Sequence, residues 1–236
     1  MRLSKGGYFA DFVVYPAVAV MLIATAVRPG SPLSWSEAAF VCVAGVAVWT
    51  LLEYIIHRVV LHEVRYFATM HEMHHDDPGD FVGTPTWLSL GMICSGALLP
   101  LWWEIGLHLA SVFTAGLMLG YLWYAGVHYV IHHWRIEPGT YLYRRKRHHA
   151  LHHHAQLACN FGVTSSFWDR VFATTFAGRR RAGALDHPGD GSPAVAPMAG
   201  TAPMGSVADA EAQAARAGLI GLWRGRRLGA AGRLSR

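Results

Sequence analysis

Charged residues are scarce in this chain of 236 residues: Asp, Glu, Lys and Arg make up 15% of it, whereas about 25% is usual for a soluble domain. Four runs, residues 12–27, 38–56, 87–109 and 110–130, are almost free of charge. Each approaches the ~20 residues needed to cross a hydrocarbon core. We therefore expect an all-α integral membrane protein with four transmembrane helices.

Cysteine is also scarce, and its placement excludes two kinds of site. Cys42 and Cys94 fall within apolar runs, Cys159 stands alone, and no two cysteines have the spacing C-x-x-C. A disulfide scaffold and a thiolate zinc site are therefore not expected.

The net charge of the chain is +5, but residues 1–177 carry no net charge. Residues 1–177 hold eleven basic and eleven acidic side chains, and residues 178–236 hold nine arginines against four acids. We predict a membrane-embedded domain over 1–177 and a largely disordered Ala/Gly/Arg-rich tail over 178–236, with disorder over 183–206 and a weak amphipathic helix over 207–227. No fold or motif accompanies the arginines, so a nucleic-acid partner is not expected.

Turn signals divide the four runs into two hairpins. A Pro-Gly-Ser-Pro sequence at 29–32 stops the first helix, and Ser34 or Ser36 is expected to cap the second. The second hairpin begins at 84–86 and carries Pro100 as an expected kink. Both hairpins return the chain to the side on which it started.

Basic residues mark that same side. The N-terminus is basic and has no small-residue cleavage site, so we interpret it as part of a retained first span. The bias of positive charge then predicts that the starting side, including the termini, is cytoplasmic. Nine basic residues lie on this side and only Arg28 lies opposite: Arg2, Lys5, Arg58, Arg65, Arg135, Arg144, Arg145, Lys146 and Arg147.

Histidine, in contrast, is abundant, and most of it lies in the polar segments that follow the apolar runs. Fourteen of the fifteen histidines lie between residues 57 and 154, and imidazole is the commonest transition-metal ligand. Residues three or four apart share a helix face, so most of these groups can present two imidazoles to one cavity. The histidines form four boxes, of which the first has a spacing of five and the other three contain pairs three or four residues apart: His57/His62, His71/His74/His75, His128/His132 and His149/His152/His153.

Ten imidazoles are too many for one metal ion, and two metals are the simplest arrangement. Donor sets without thiolate admit iron, zinc or copper, but structural zinc takes four ligands, usually with Cys. Soluble di-iron bundles use Glu-x-x-His twice, and here only Glu72 and His75 form that motif. His57 and His62 would diverge by roughly 140° on a straight helix, which suits two different metals or a helix that breaks between them.

The four boxes resemble those of the membrane fatty acid hydroxylase/sterol desaturase superfamily, whose pattern is HxxxxH, HxxHH, HxxxH, HxxHH. Two flanks extend the resemblance, Leu52-Glu53-Tyr54 before the first box and residues 161–169 after the last. The similarity covers residues 45–176.

The resemblance implies a di-iron centre that uses O₂ to hydroxylate a fatty-acyl chain or related membrane lipid. It implies that the ten boxed histidines hold the two iron ions on the cytosolic face of the four helices, with no catalytic residue beyond the metal centre. An external electron donor, a ferredoxin or cytochrome b5 with its reductase, would be required. A lipid or sterol desaturase and a carotenoid hydroxylase are the alternatives, although the third box of carotenoid hydroxylases has four intervening residues instead of three.

For the other polar residues near the boxes, the sequence allows roles other than direct metal binding. His133, His148 and His154 are interpreted as bystanders, and His108 as unrelated to the site. Glu53 lies one turn before His57, where it would either orient that imidazole or be an interfacial carboxylate. Four aspartates could orient imidazoles or cap helices: Asp76, Asp77, Asp80 and Asp169.

Two other functions fit part of the pattern. His71-Glu72-Met73-His74-His75 contains H-E-x-x-H, the zinc protease signature in which Glu72 would be the base, but that site would leave seven spaced histidines unused. A metal transporter or sensor would place ligands along the middle of the membrane, whereas these histidines cluster beyond the helix ends.

Overall fold

The apolar runs form helices that confirm the predicted membrane protein. A computed structural model describes residues 1–154 and 158–176, and the predicted tail lies outside these described residues. Within them, four helical segments are long and apolar enough to cross a membrane: Lys5–Val27, Trp35–Glu63, Thr86–Ile105 and Leu107–His133.

The helices are connected as two hairpins followed by a histidine-rich cap. The first hairpin contains α1 (Lys5–Phe9), α2 (Asp11–Val27), α3 (Trp35–Ile55), a π-helical turn (Ile56–Val60) and the short α4 (Leu61–Glu63). The second contains α6 (Thr86–Ile93), a π-helical turn (Cys94–Leu98), α7 (Leu99–Ile105) and α8 (Leu107–His133). The cap consists of α5 (Arg65–Asp76), α9 (Tyr141–His154) and α10 (Phe167–Val171).

Local sequence sets the helix boundaries. Ser34 begins α3 with a capping box, in which its Oγ accepts from Glu37 N at 3.3 Å and Glu37 Oε2 accepts from Ser34 N at 2.9 Å. The first of the two predicted starts is therefore confirmed. The predicted boundary between residues 109 and 110 is wrong, because Gly106 separates the last two spans with a φ of 83°, which favours glycine. The π turn Cys94–Leu98 lies just before Pro100. Proline has no backbone N–H to donate, so the regular α-helical hydrogen bonding is interrupted here and the helix widens.

The span α8 lies at the centre and packs against α2 and α3, whereas no residue of α6 or α7 is buried. Its contact with α3 joins backbone to backbone. A Cβ added to Gly116 would lie 2.1 Å from Cys42 O, and one added to Gly45 would lie 2.3 Å from Phe113 O. Small residues permit such close approach between membrane helices. This contact fixes the relative position of the two helices that carry the first and third histidine boxes.

We predict that Gly116→Ala lowers the stability of the protein by about 1–3 kcal/mol, because the added methyl group overlaps a backbone carbonyl that cannot rotate away. The thermal unfolding midpoint of the detergent-solubilised protein measures this loss. Gly91→Ala is the matched control, since a Cβ there has no neighbour within 4 Å. An equal effect of both variants would contradict the proposed tight contact.

Candidate metal centre

The histidine boxes lie at the ends of the spans and on the two cap helices that cover them. His57 and His62 lie in the π turn and α4, His128 and His132 in the last turns of α8, and the other two boxes on α5 and α9. The structure brings these distant segments together around one site.

The π turn solves the spacing problem of the first box. A π-helix bonds residue i to residue i+5, so residues five apart lie about one turn apart instead of on diverging faces. The rings of His57 and His62 are stacked with centroids 5.5 Å apart. His57 and His62 therefore lie on the same side of the helix, whereas the sequence predicted that they would face two different metals or flank a break. The helix widens between them and does not break.

Nine of the ten predicted ligands form two groups, in each of which the candidate ligand atoms lie within 4.8 Å of one another. Two boxes contribute to both groups, so the groups adjoin each other. The first imidazole group contains His57, His62, His71, His75 and His152. The second imidazole group contains His74, His132, His149 and His153.

The tenth predicted ligand, His128, lies beside the second imidazole group. Its ring centroid is 4.7 Å from those of His74 and His132 and 5.0 Å from that of His149. Its ring is also stacked on Tyr124 with centroids 5.6 Å apart. His128 is thus close enough to belong to the same centre.

Two backbone carbonyls determine the proton position on two imidazoles. His57 Nδ1 lies 2.5 Å from Phe161 O, and His152 Nδ1 lies 2.8 Å from Cys159 O. A carbonyl only accepts, so each Nδ1 carries the proton and each Nε2 presents a lone pair. These Nε2 atoms face other Nε2 atoms, 3.0 Å away on His71 and 3.2 Å away on His62.

Burial keeps the imidazoles of the cap neutral, as metal binding requires. Together with neighbouring imidazoles, burial lowers the pKa of His74 and of His75 to about 4 and that of His152 to about 3, and burial is the largest cause. The Nε2 atoms of His74 and His132 are buried with no hydrogen-bond partner within the described chain. Converging lone pairs and unpaired buried nitrogens fit cations bound among them.

A loop of residues 159–164 supplies these carbonyls, and Glu53 holds the loop. Glu53 is 4% exposed, and its Oε1 accepts from Val163 N and Thr164 N at 2.8 Å each. Its Oε2 accepts from Thr164 Oγ1 at 2.6 Å. Glu53 therefore acts on His57 through the loop and does not bond that imidazole directly, and its burial does not fit an exposed interfacial carboxylate.

Asp169 holds the same loop from its other side and is fully buried. Its carboxylate accepts from Phe161 N at 2.8 Å, Gly162 N at 2.9 Å and Thr174 Oγ1 at 2.9 Å. His148 Nε2 lies 3.0 Å from Asp169 Oδ2. Burial alone would raise the pKa of Asp169, but the hydrogen bonds from His148, Gly162 and Thr174 outweigh it, so the pKa lies below its ordinary value.

The histidines interpreted as bystanders lie outside both imidazole groups. His148 contacts Asp169, as described, and His133 stacks on Tyr129 with ring centroids 4.4 Å apart. His108, at the opposite end of the bundle, bonds Ala26 O at 3.0 Å through Nδ1. His148 is thus a support for the loop, a role that spacing alone did not indicate.

The geometry also bears on the zinc protease motif. His71 and His75 do lie together, but in a group of five imidazoles instead of the three protein ligands of such a protease. Glu72, which would be the base, is exposed. The arrangement therefore gives no support to the protease hypothesis.

An apolar cavity of about 400 Å³ leads from the membrane bundle to the histidines. Both imidazole groups contribute to its wall through His57, His71 and His74, and His128 lines it as well. Aliphatic and aromatic side chains of α2, α3, the first π-helical turn, α6 and α8 line most of the rest, including Phe12, Leu52, Ile56, Ile93, Leu117 and Tyr124.

Sequence comparison agrees with this site. The profile of the fatty acid hydroxylase family matches residues 42–174, which include all four boxes and the loop. The chain belongs to the fatty acid hydroxylase family. The match ends within the segment that bonds Asp169.

Similarity to individual members of the fatty acid hydroxylase family covers much of the chain. The dihydroceramide fatty acyl 2-hydroxylase FAH1 of Arabidopsis thaliana is 32% identical over 183 residues, 71% of this chain and 73% of the relative. The human fatty acid 2-hydroxylase is 34% identical over 146 residues, 55% of this chain and 38% of the relative. The chain thus spans less than half the length of the human relative.

A solved structure has the same fold. The hydroxylase domain visible in full-length scs7p superposes with a TM-score of 0.64 and 30% identity, covering 72% of this chain and 67% of that chain. The ceramide very long chain fatty acid hydroxylase SCS7 of Saccharomyces cerevisiae is 33% identical over 191 residues, 73% of this chain and 46% of the relative. Fold and sequence comparison therefore lead to the same family.

We predict that Asp169→Asn destabilises the protein by about 1–3 kcal/mol, because the amide NH₂ would face an N–H donor of the buried loop. Glu137→Gln, at an exposed acid, is the control. The lowered pKa of Asp169 means that its stabilisation is present above the ordinary carboxyl pKa and is lost as pH falls through the folded value. The measurement is the thermal unfolding midpoint of wild type and of both variants as a function of pH. We expect the difference between wild type and Asp169→Asn to shrink in acid, and a difference that stays constant would contradict the prediction.

Proposed function

We propose that the protein is an O₂-dependent di-iron hydroxylase that acts on a C–H bond of a fatty-acyl chain in a membrane lipid. The observation that carries the proposal is the pair of adjoining imidazole groups at the end of an apolar cavity. An acyl chain fits such a cavity, and its carbon atoms would then lie beside the metal ligands.

In this proposal the ten boxed histidines hold two iron ions. The first imidazole group binds one ion, and the second imidazole group together with His128 binds the other. Five imidazoles exceed the four ligands of tetrahedral structural zinc. When bound, iron supplies the redox chemistry for O₂ activation, which zinc lacks.

The protein orients the metal-binding imidazoles and keeps water out of the reacting region. Phe161 O and Cys159 O hold the imidazoles of His57 and His152 with Nε2 toward the centre, as second-shell bonds do in other metal sites. Burial of His57, His74 and His149 excludes water from the reacting region. The apolar walls favour an alkyl chain over a polar substrate.

The names of the relatives narrow the substrate. Proteins called fatty acid 2-hydroxylase and dihydroceramide fatty acyl 2-hydroxylase are similar to this chain. By analogy we propose a lipid-linked acyl chain as substrate and its second carbon as the position attacked.

Electrons must come from outside the substrate. Insertion of one oxygen atom into a C–H bond, with the other leaving as water, consumes two further electrons, which a ferredoxin or a cytochrome b5 with its reductase would supply. We propose that this donor docks on the cytoplasmic side, since basic residues near the boxes predict that orientation.

Expression in a host that lacks the activity, followed by lipid mass spectrometry and metal analysis, tests the function. We expect lipids that have gained one oxygen atom on the acyl chain, and two iron ions per protein. Loss of two hydrogens instead would indicate a desaturase, and cleaved peptides with one bound zinc would indicate a protease.

The ligand assignment has its own test. We predict that His149→Ala loses the ion of the second site and nearly all hydroxylation, because it removes a buried imidazole of the second imidazole group. His154→Ala, five positions along the same helix and outside both groups, is the matched control and should keep both ions. Iron content and activity measure this, and full retention of both by His149→Ala would contradict the assignment.

A further inference from the structure

Two acidic residues line the mostly apolar cavity, and only one of them, Glu53, has both carboxylate oxygens hydrogen-bonded within the described chain. Asp11 belongs to the span Lys5–Val27, lines the cavity and is 8% exposed. Its Oδ2 accepts a short hydrogen bond from the hydroxyl of Tyr121. Its Oδ1 is buried and has no hydrogen-bond partner within residues 1–154 and 158–176.

The position of Asp11 in α2 explains only part of this arrangement. It is the first residue of the helix, where the helix dipole favours a negative charge. The dipole does not provide Oδ1 with a donor, and an unpaired polar atom in an apolar site is costly. A ligand in the cavity is therefore the natural source of the missing hydrogen bond.

Aromatic packing keeps this carboxylate in place. The ring of Tyr121 packs against Tyr15 and Trp49, with centroids 4.6 and 5.4 Å apart. Tyr15 in turn donates to Ser89 Oγ at 2.8 Å. Tyr121 is thereby fixed from two sides, and so is the hydrogen bond that orients Asp11.

The Asp11–Tyr121 pair lies at a distance from the candidate metal centre that one lipid molecule could span. Tyr121 and His128 lie on α8 seven residues apart, two turns or about 10 Å along the helix. Asp11, Tyr121 and His128 all line the same cavity. A lipid group bound at Asp11 would therefore fix which carbon of the attached chain reaches the histidines.

We propose that Asp11 is a binding residue for the lipid, and that its free carboxylate oxygen accepts a hydrogen bond from a hydroxyl group of the substrate. The proposal rests on the lipid hydroxylase function proposed above and adds a polar contact that selects among lipids. The same negative charge disfavours an ionised free fatty acid. Asp11, together with Tyr121, thus favours neutral lipids that carry a hydrogen-bond donor.

Ligand binding to the purified, metal-loaded full-length protein tests this without depending on turnover. The probes are an N-acyl amino-alcohol lipid with a free hydroxyl group and its O-methylated analogue, each displacing a fluorescent acyl-chain probe. A hydrogen bond to a charged group predicts that wild type prefers the hydroxyl form by about ten-fold. Asp11→Leu combined with Tyr121→Phe removes both partners of the buried bond, and the preference should fall to about two-fold or less.

Three further variants separate the possible outcomes. Tyr121→Phe alone leaves the Asp11 carboxylate able to accept, so this variant should keep the preference for the hydroxyl lipid. Glu104→Gln removes an exposed acid and controls for the loss of one negative charge. If the double variant loses its metals, Asp11→Asn replaces it, since an amide NH₂ donates equally to a hydroxyl and to an ether.

Two results would overturn the proposal: equal binding of both lipids by wild type, or an unchanged preference in the Asp11 variants. Equal binding would indicate that Asp11 holds only water. A preference that depends on Asp11 in a protein that hydroxylates no lipid would support the binding residue and contradict the proposed function alone.

Discussion

The converging lone pairs of buried, neutral imidazoles are the constraint on which the rest of the structure depends. Nine imidazoles present ligand atoms within 4.8 Å of others in their group. The Nε2 lone pairs of His57 and His152 face other Nε2 atoms, because the Nδ1 proton of each ring is bonded to a backbone carbonyl. Such an arrangement suits cations bound among the rings. The hairpins, the glycine contact and the loop of residues 159–164 can all be understood as supports that hold these rings in place.

Much of this architecture could be predicted from local sequence. The low charge of the four runs indicated the spans, the Ser34–Glu37 pair indicated a helix start, and spacings of three and four residues placed imidazoles on common helix faces. These features depend on neighbours in the chain, so periodicity and capping rules reach them. In the last box, the structure places His149, His152 and His153 in the two imidazole groups, whereas His148 and His154 lie outside them.

Other features depend on contacts between distant residues or on backbone form. The π turn that aligns His57 with His62 leaves no clear sequence signal, and α-helical periodicity predicted the opposite arrangement. Glu53 bonds residues about 110 positions away, so its proximity to His57 in sequence did not reveal that it acts through the loop of residues 159–164. The carbonyls of Phe161 and Cys159 belong to the backbone, and side-chain identity cannot reveal them. Only the flank that resembles the family, residues 161–169, indicated that this loop matters.

Glu53 explains how a site beyond the membrane can be held by a residue of a membrane span. Glu53 belongs to α3, which packs on α8 through Gly45 and Gly116, so the loop is attached to the most closely packed helix pair. Phe161 O then transmits that position to His57 and Cys159 O to His152. Because each bond joins buried groups, a shift of one helix would leave polar atoms unpaired. The bundle therefore fixes the imidazoles more firmly than the cap helices alone could.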